Sequence, residues 1–335
     1  MITRAECRRL TVPALVLASI GFCGWRFMLR MPLESYRGPW VPLSPEETAL
    51  RDALRRDVQV IAGEIGNRNW FVYPRLVEAA AWIAASLVQT GFKVRRLGFE
   101  VRGKTCHNLE VEIPGRTCPE EIVVIGAHYD SVPGCPAAND NGSGVAALLA
   151  LARAFADAEP ERTIRFVAFV NEEPPFYRSS EMGSFVYARE CRRRGDRVVA
   201  MLSLETIGYY RDQRGSQMYP TPFSLFYPSE GNFIAFVGNV SSRALVLRCL
   251  ATFRREVLFP SEGAALPGFI TGIGWSDHWS FWKAGYPAAM VTDTALFRYP
   301  YYHSPEDTPE KLDYDRMARV VAGLERVARD LAGAR

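Results

Sequence analysis

From Ser44 onward, segments with apolar residues at helical spacing alternate with short continuous apolar runs, and this rhythm restricts the fold more than any other feature of the chain. Leu76, Ala80, Ile83 and Leu87 recur at a helical period that stops at Gly91, whereas 121–127 is a short apolar run with polar neighbours, as a buried strand requires. The same alternation predicts a helix over 142–157, a strand over 163–170, a helix over 180–193 and a strand over 198–204. It continues with a strand over 233–237, a helix over 241–257, a strand over 288–292 and a terminal helix carrying Met317, Val320, Leu324, Val327 and Leu331. Only Gly103 and its neighbours separate the runs 92–101 and 106–113, so these two are expected to form an antiparallel hairpin at a sheet edge. Strands that alternate with helices build a sheet covered on both faces. The expected architecture is therefore α/β, a three-layer α/β/α arrangement around a mixed, mostly parallel central sheet.

Three segments precede or make up this body. Leu10 to Trp25 carries no charge and is flanked by Arg4, Arg8 and Arg9 on one side and Arg26 and Arg30 on the other. It is shorter than the roughly 20 residues that span a bilayer, but Phe27 to Leu29 extend it if Arg26 snorkels. Residues 1–30 are therefore read as an N-terminal membrane anchor, with a cleaved signal segment or a buried helix as the other readings; no Ala-x-Ala site follows the apolar run. The arginines on its amino side predict an extracytoplasmic body, membrane-anchored or, if the segment is cleaved, secreted or periplasmic. Residues 31–44 contain Pro32, Pro39 and Pro42 and read as an extended tether. One folded domain is expected over 45–335, opening with Ser44 as N-cap, Pro45 at the first helical position and Glu46 and Glu47 in the first turn.

Charge and cysteine usage remove several functional classes. Lys+Arg number 40 and Asp+Glu 37, a net +3, which leaves no electrostatic footprint for a nucleic-acid partner. The seven cysteines contain no Cys-x-x-Cys pair, which excludes a thiolate zinc ribbon; Cys106 and Cys118 are the one pair considered for a disulfide. Any histidine chemistry must come from His107, His128, His278 and His303.

Ligands of a parallel sheet collect at the carboxyl ends of its strands, and acids and imidazoles cluster there. The run 122–126 leads into His128-Tyr129-Asp130, the next strand into Asn171-Glu172-Glu173, and the third into Leu204-Glu205-Thr206, while the strand near Ala288 leads towards His303. Asn139-Asp140-Asn141-Gly142-Ser143-Gly144 opens the helix between the first two strands. So many carboxylates on one rim repel one another unless a cation is present. His nitrogens with carboxylate oxygens and no thiolate suit catalytic zinc, and the number of donors suffices for two metals sharing a bridging carboxylate. His128 and Asp130 point to one face of an extended chain, so Asp130 can orient the imidazole. Glu172 and Glu173 point oppositely on extended backbone, one to bind metal and one to serve as general base.

The sequence resembles the zinc aminopeptidases of metallopeptidase family 28, which also includes glutamate carboxypeptidase, glutaminyl cyclase and the transferrin receptor. The resemblance rests on the motifs at 126–132, 138–145, 169–173 and 204–209, on Ser276-Asp277-His278 and on the stretch Tyr302 to Thr308, in the family's order. It implies the zinc-aminopeptidase, phosphorylase/hydrolase-like fold and a zinc-dependent exopeptidase acting on peptides. It further implies that His128 and Glu205 hold one zinc, Glu173 and His303 the other, and that Asp140 bridges both. Glu172 is then the general base towards a metal-activated water, Asp130 orients His128, and Asp277 is structural. Glu205 stands where these peptidases more often have Asp; the extra methylene, about 1.5 Å, leaves room for one tight and one loose zinc. A glutaminyl-cyclase-like transferase and a non-catalytic receptor-like homologue are the alternatives. His107 is read as structural. Tyr209, Tyr210, Tyr301 and Tyr302 are read as packing residues, with one of them open to bonding a reacting carbonyl. The uncharged stretch 218–228 either walls a substrate pocket or packs over the sheet.

Overall fold

Helix α1 (Pro45–Val58) begins where the capping signal places it: Ser44 Oγ accepts the Glu47 N–H (3.1 Å) and Glu47 Oε2 accepts the Ser44 N–H (2.9 Å). The computed structural model describes residues 21, 24 and 26–334, so nearly all of the apolar run Leu10–Trp25 lies outside the described residues. Residues 31–44, read above as a tether, carry neither helix nor strand and are pinned to the body. Arg254 donates to the Pro32 and Leu33 carbonyls (2.9 Å each), Ser35 Oγ accepts the Ser261 N–H (2.9 Å), and Trp40 packs on Phe259 with ring centroids 5.3 Å apart.

The remaining elements are α2 (Tyr73–Gln89), β1 (Arg95–Val101), β2 (Lys104–Ile113), β3 (Cys118–His128), α3 (Gly144–Ala154), β4 (Arg162–Phe169), α4 (Gly183–Arg194) and β5 (Arg197–Glu205). After a long irregular excursion come β6 (Ile234–Gly238), α5 (Arg243–Glu256), β7 (Ser261–Ala265), α6 (His278–Lys283), β8 (Ala288–Thr292) and α7 (Tyr314–Ala332). The eight strands form one sheet in the order β1-β2-β4-β3-β5-β8-β6-β7. β3 pairs in parallel with β4 and β5, β5 with β8, and β6 with β7. The β1/β2 hairpin is antiparallel as its short turn requires, and so are β2/β4 and β6/β8. Two elements were not legible in the sequence. Ser261-Glu-Gly-Ala-Ala265 has no apolar run and becomes β7 through its pairing with β6, and α6 is too short to show a period.

The two-residue period of β3 explains the layers. Val123 and Ile125 face a large apolar cluster with α1, α2, α3, α5 and α7, while Ile122 and Val124 face a smaller one with Tyr187 and Cys191 of α4 and Phe281 of α6. Trp70–Gln89 is long and apolar enough to cross a membrane, but Leu76, Ala79, Ala80, Ile83, Ala84 and Leu87 are buried in the larger cluster, as in a core helix. Cys106 and Cys118, considered above for a disulfide, are both free.

Candidate active site and metal centre

β3 lies between β4 and β5, so the chain moves to one side of it and then to the other. That reversal opens a crevice at the carboxyl ends of the three strands. His128 ends β3, Glu205 ends β5, and Asn171-Glu172-Glu173 follow directly on β4. Asp140 comes from the loop before α3, and His303 from the segment between β8 and α7. Asn171, Thr206 and His303 have φ of 59°, 45° and 56°, so the backbone is left-handed at or beside three of these positions.

The side chains converge on Asp140. Its Oδ1 lies 3.2 Å from His128 Nε2 and its Oδ2 3.0 Å from His303 Nε2. Glu205 Oε2 lies 3.3 Å from His128 Nε2, and Glu173 Oε2 lies 3.4 Å from His303 Nε2. Among the described residues three sets of ligand atoms are compact enough to hold a metal ion: His128/Asp140/Glu205 and His303/Asp140/Glu173, which share Asp140, and His128/Glu172/Glu173. Glu172 Oε2 stands 4.0 Å from His128 Nε2. The chain past Phe169 is not a strand, and Asn171 turns it. Both Glu172 and Glu173 therefore reach the cluster rather than pointing to opposite faces, as expected for extended backbone; both lie near His128, and Glu173 also reaches His303.

The donor set fits a divalent cation. His128, Asp140, Glu172, Glu173 and Glu205 are all buried, and His128 Nδ1 and Nε2, Asp140 Oδ1 and Glu173 Oε1 have no hydrogen-bond partner. Burial pushes Glu173 and Glu205 up to about 7 and Glu172 well above the usual carboxylate range. Burial opposes a charged ring at both histidines, but the surrounding carboxylates prevail. They raise His303 to about 11 and His128 well above the ordinary imidazole value. Without a cation the site must fill with protons; a divalent ion supplies the missing positive charge and a partner for each orphaned atom.

Residues outside this set hold it in place. Asp130 lies 3.6 Å from His128 Nδ1, but its hydrogen bonds go elsewhere: Oδ1 accepts the Glu172 N–H (3.0 Å) and Oδ2 the Glu173 N–H (3.1 Å). Ser276 Oγ donates to Glu205 Oε2 (2.7 Å), so the contact between Ser203 and Ser276 hydroxyls (2.8 Å) must have Ser203 as donor. Asn141 ties the Asp140 loop to β5, donating to the Leu204 carbonyl (2.8 Å) and accepting the Thr206 N–H (3.2 Å).

Three supporting residues escaped the sequence reading. Asp307 accepts the Asn139 and Asp140 N–H groups (2.8 and 3.1 Å) and the Tyr299 hydroxyl (2.6 Å). Asp293 accepts from Asn139 Nδ2 (2.9 Å) and the Tyr209 N–H (2.8 Å). Arg68, fully buried, donates to the carbonyls of Tyr129, Ile61, Gly66, Pro136 and Ala137. Asp293 directly follows β8, so the strand-end rule that pointed to His128, Glu172, Glu173 and Glu205 also covers it; the Arg68 side chain acts only on backbone and leaves no sequence signal.

The model of peptidase family M28 matches residues 108–328. The chain belongs to peptidase family M28. This M28 chain is 36% identical over 310 residues to YfbL of Escherichia coli, an uncharacterized protein, covering 89% of this chain and 94% of that one. It is 33% identical over 228 residues to a probable leucine aminopeptidase of Arthroderma otae, covering 63% of this chain but only 55% of the relative. In fold it is similar to BSAP, a zinc aminopeptidase from Bacillus subtilis, with a TM-score of 0.67 at 15% identity over 84% of this chain and 94% of that one. A glutaminyl cyclase from Fimbriiglobus ruber shares the fold at a TM-score of 0.62 and 20% identity, over 87% of this chain and 97% of that one.

A cavity of about 120 Å³ runs from Glu205 and Tyr302 of the M28 site into apolar walls that include Phe233, Val237, Leu266, Ile273, Met290 and Phe297. Tyr219, Pro220, Phe223 and Tyr227 line it too, so the uncharged stretch 218–228 is a pocket wall. Of the four tyrosines considered above, Tyr302 is at the site, stacked on His303 with centroids 3.8 Å apart. Tyr210 bonds the Ile207 carbonyl, Tyr209 packs at a tilt against Tyr299, and Tyr301 lies under Lys311.

Proposed function

We propose that this M28 chain is a zinc-dependent aminopeptidase that removes apolar residues from the free amino end of peptides. The two compact ligand sets sharing Asp140, with Glu172 standing beside them, carry this reading. His128 and Glu205 would hold one zinc and His303 and Glu173 the other, with Asp140 serving both sets. When bound, zinc lowers the pKa of a water towards about 7 and polarises a carbonyl.

The chain's own residues do the rest. Glu172 is the general base: its carboxylate takes a proton from water on its Oε2 side and returns it to the leaving amine, which needs a proton affinity above that of an ordinary carboxylate. In the metal-free chain burial raises the proton affinity of Glu172. Asp130 fixes where the base sits by clamping two consecutive backbone N–H groups. The apolar cavity beside Glu205 receives the side chain of the residue to be removed and excludes water from it. Residues 45–335 are one peptidase domain, and residues 1–30 anchor it with the body outside the cytoplasm.

Metal analysis combined with a panel of aminoacyl anilides and an N-terminal glutaminyl peptide tests the reading. Two equivalents of zinc, chelator-sensitive release of aniline from leucyl and phenylalanyl substrates, and no cyclisation are expected. Cyclisation without anilide turnover, or a zinc-replete protein inert towards the whole panel, would refute it.

A further inference from the structure

The two loops that wall the pocket are free of charge over 217–228 and 263–276. They also carry the most exposed apolar side chains of the described residues: Phe269 is 88% exposed, Leu225 78% and Met218 62%. A soluble surface seldom gathers such residues around one opening without a partner. The amino-terminal segment arrives at the same place. Met28 and Leu29 pack on the cluster formed by Phe233, Val237, Leu266 and Met290, and Leu29 and Phe226 line one groove. Phe27, beside them, is half exposed, with the Arg243 guanidinium 4.9 Å from its ring centroid.

The connection leaves no slack. From Trp25, where the uncharged run ends, to Met28 is a reach of about 10 Å. Beyond that point Pro32, Leu33 and Ser35 are hydrogen-bonded to Arg254 and Ser261, so the body cannot swing away on a tether. Whatever surface holds the run Leu10–Trp25 lies against this face. Arg26 and Arg30 flank Phe27–Leu29 in the chain and Arg243 reaches the Phe27 ring and the Phe27 and Arg30 carbonyls, so cations accompany the apolar segment that packs on this face, as where cations meet lipid headgroups while apolar side chains enter the acyl boundary.

We propose that this face, with Leu225, Phe226 and Phe269 at its tip, docks into the headgroup and acyl boundary of the membrane that holds the anchor, so that the pocket opens at the lipid surface. The proposal rests on the anchor reading and adds a second, interfacial contact to it. Peptide ends emerging from or lying on a bilayer are then the substrates closest to the pocket.

The test uses the full chain in vesicles of phosphatidylcholine and phosphatidylglycerol, with a fluorescent amino acid placed singly at positions 27, 88, 225 and 269 and folding checked by circular dichroism. Val88, exposed on α2 at the opposite sheet edge, is the control. Probes at 225 and 269 should lose fluorescence to a lipid-borne shallow doxyl quencher and resist aqueous iodide, while the probe at 88 responds to iodide alone. If the probe at 27 is quenched from the lipid but those at 225 and 269 respond only to iodide, the anchor stands and the docking face is overturned. If all four respond only to iodide, the anchor reading falls and the docking face falls with it.

Discussion

Glu172 and Glu173 carry the same carboxyl group one residue apart, and their surroundings divide the labour between them. Glu173 reaches His303 and Asp140, whereas Glu172 keeps to the His128 side and has no place in either ligand set that contains Asp140. Glu172→Gln should lower kcat by about 10²–10⁴-fold while zinc content, measured by atomic absorption, stays at the wild-type level. Ser276 touches Glu205 rather than metal, so Ser276→Ala should weaken one zinc by about 10–100-fold in a chelator competition and leave the other unchanged. His278 shows a different residue-level effect. A carbonyl only accepts, so its Nε2 carries the proton donated to Ile273 (2.8 Å), and burial lowers its pKa to about 4. An unfolded histidine titrates near 6.5. The native state therefore binds fewer protons than the unfolded state between those values, and stability present above pH 6.5 is lost as pH falls towards 4. Urea unfolding of metal-free protein at pH 7 and pH 4.5 should show a decline that is smaller in His278→Gln by about 2–3 kcal/mol.

Among the elements, the loop of residues 138–143 controls both metal sets at once, because Asp140 faces both imidazoles and its backbone hangs on Asp307. Asp307→Ala leaves two backbone N–H groups and the Tyr299 hydroxyl without their acceptor. A loss of about 2–4 kcal/mol in urea unfolding and weaker retention of both zincs under chelator are the expected results. The same loop shows how far sequence reading reaches. β3, β4, β5 and β8 were legible because each is buried on both faces and so reads as a continuous apolar run. Of the clustered acids and imidazoles, His128, Glu172, Glu173 and Glu205 were legible because strand ends fix their place along the chain. β7 was not, since its strand character comes from pairing with β6 rather than from its own residues, and the role of Asp307 was not, since the Asn139 and Asp140 N–H groups it holds lie more than 160 residues away.

In the whole molecule, the segment 31–44 is extended but seated on α5, β7 and α7, with the Arg316 guanidinium 4.8 Å from the Trp40 ring centroid. Trp40→Ala should release this seat, and limited proteolysis within 31–44 should accelerate while the rest of the body stays resistant; unchanged cleavage would show that the backbone hydrogen bonds suffice. The distribution of the site over the molecule also bears on how such a chain changes through time. The clustered carboxylates and His128 sit on or just past strand ends and on a loop locked by Asn139, Asn141 and Asp307, and His303 between β8 and α7, whereas the cavity wall is built largely from the irregular excursion between β5 and β6 and the loop after β7. Insertions or replacements in those two loops leave the sheet's pairing untouched. Substrate preference can thus drift in descendants of this chain while the reacting centre is inherited intact, two traits that selection is able to adjust separately.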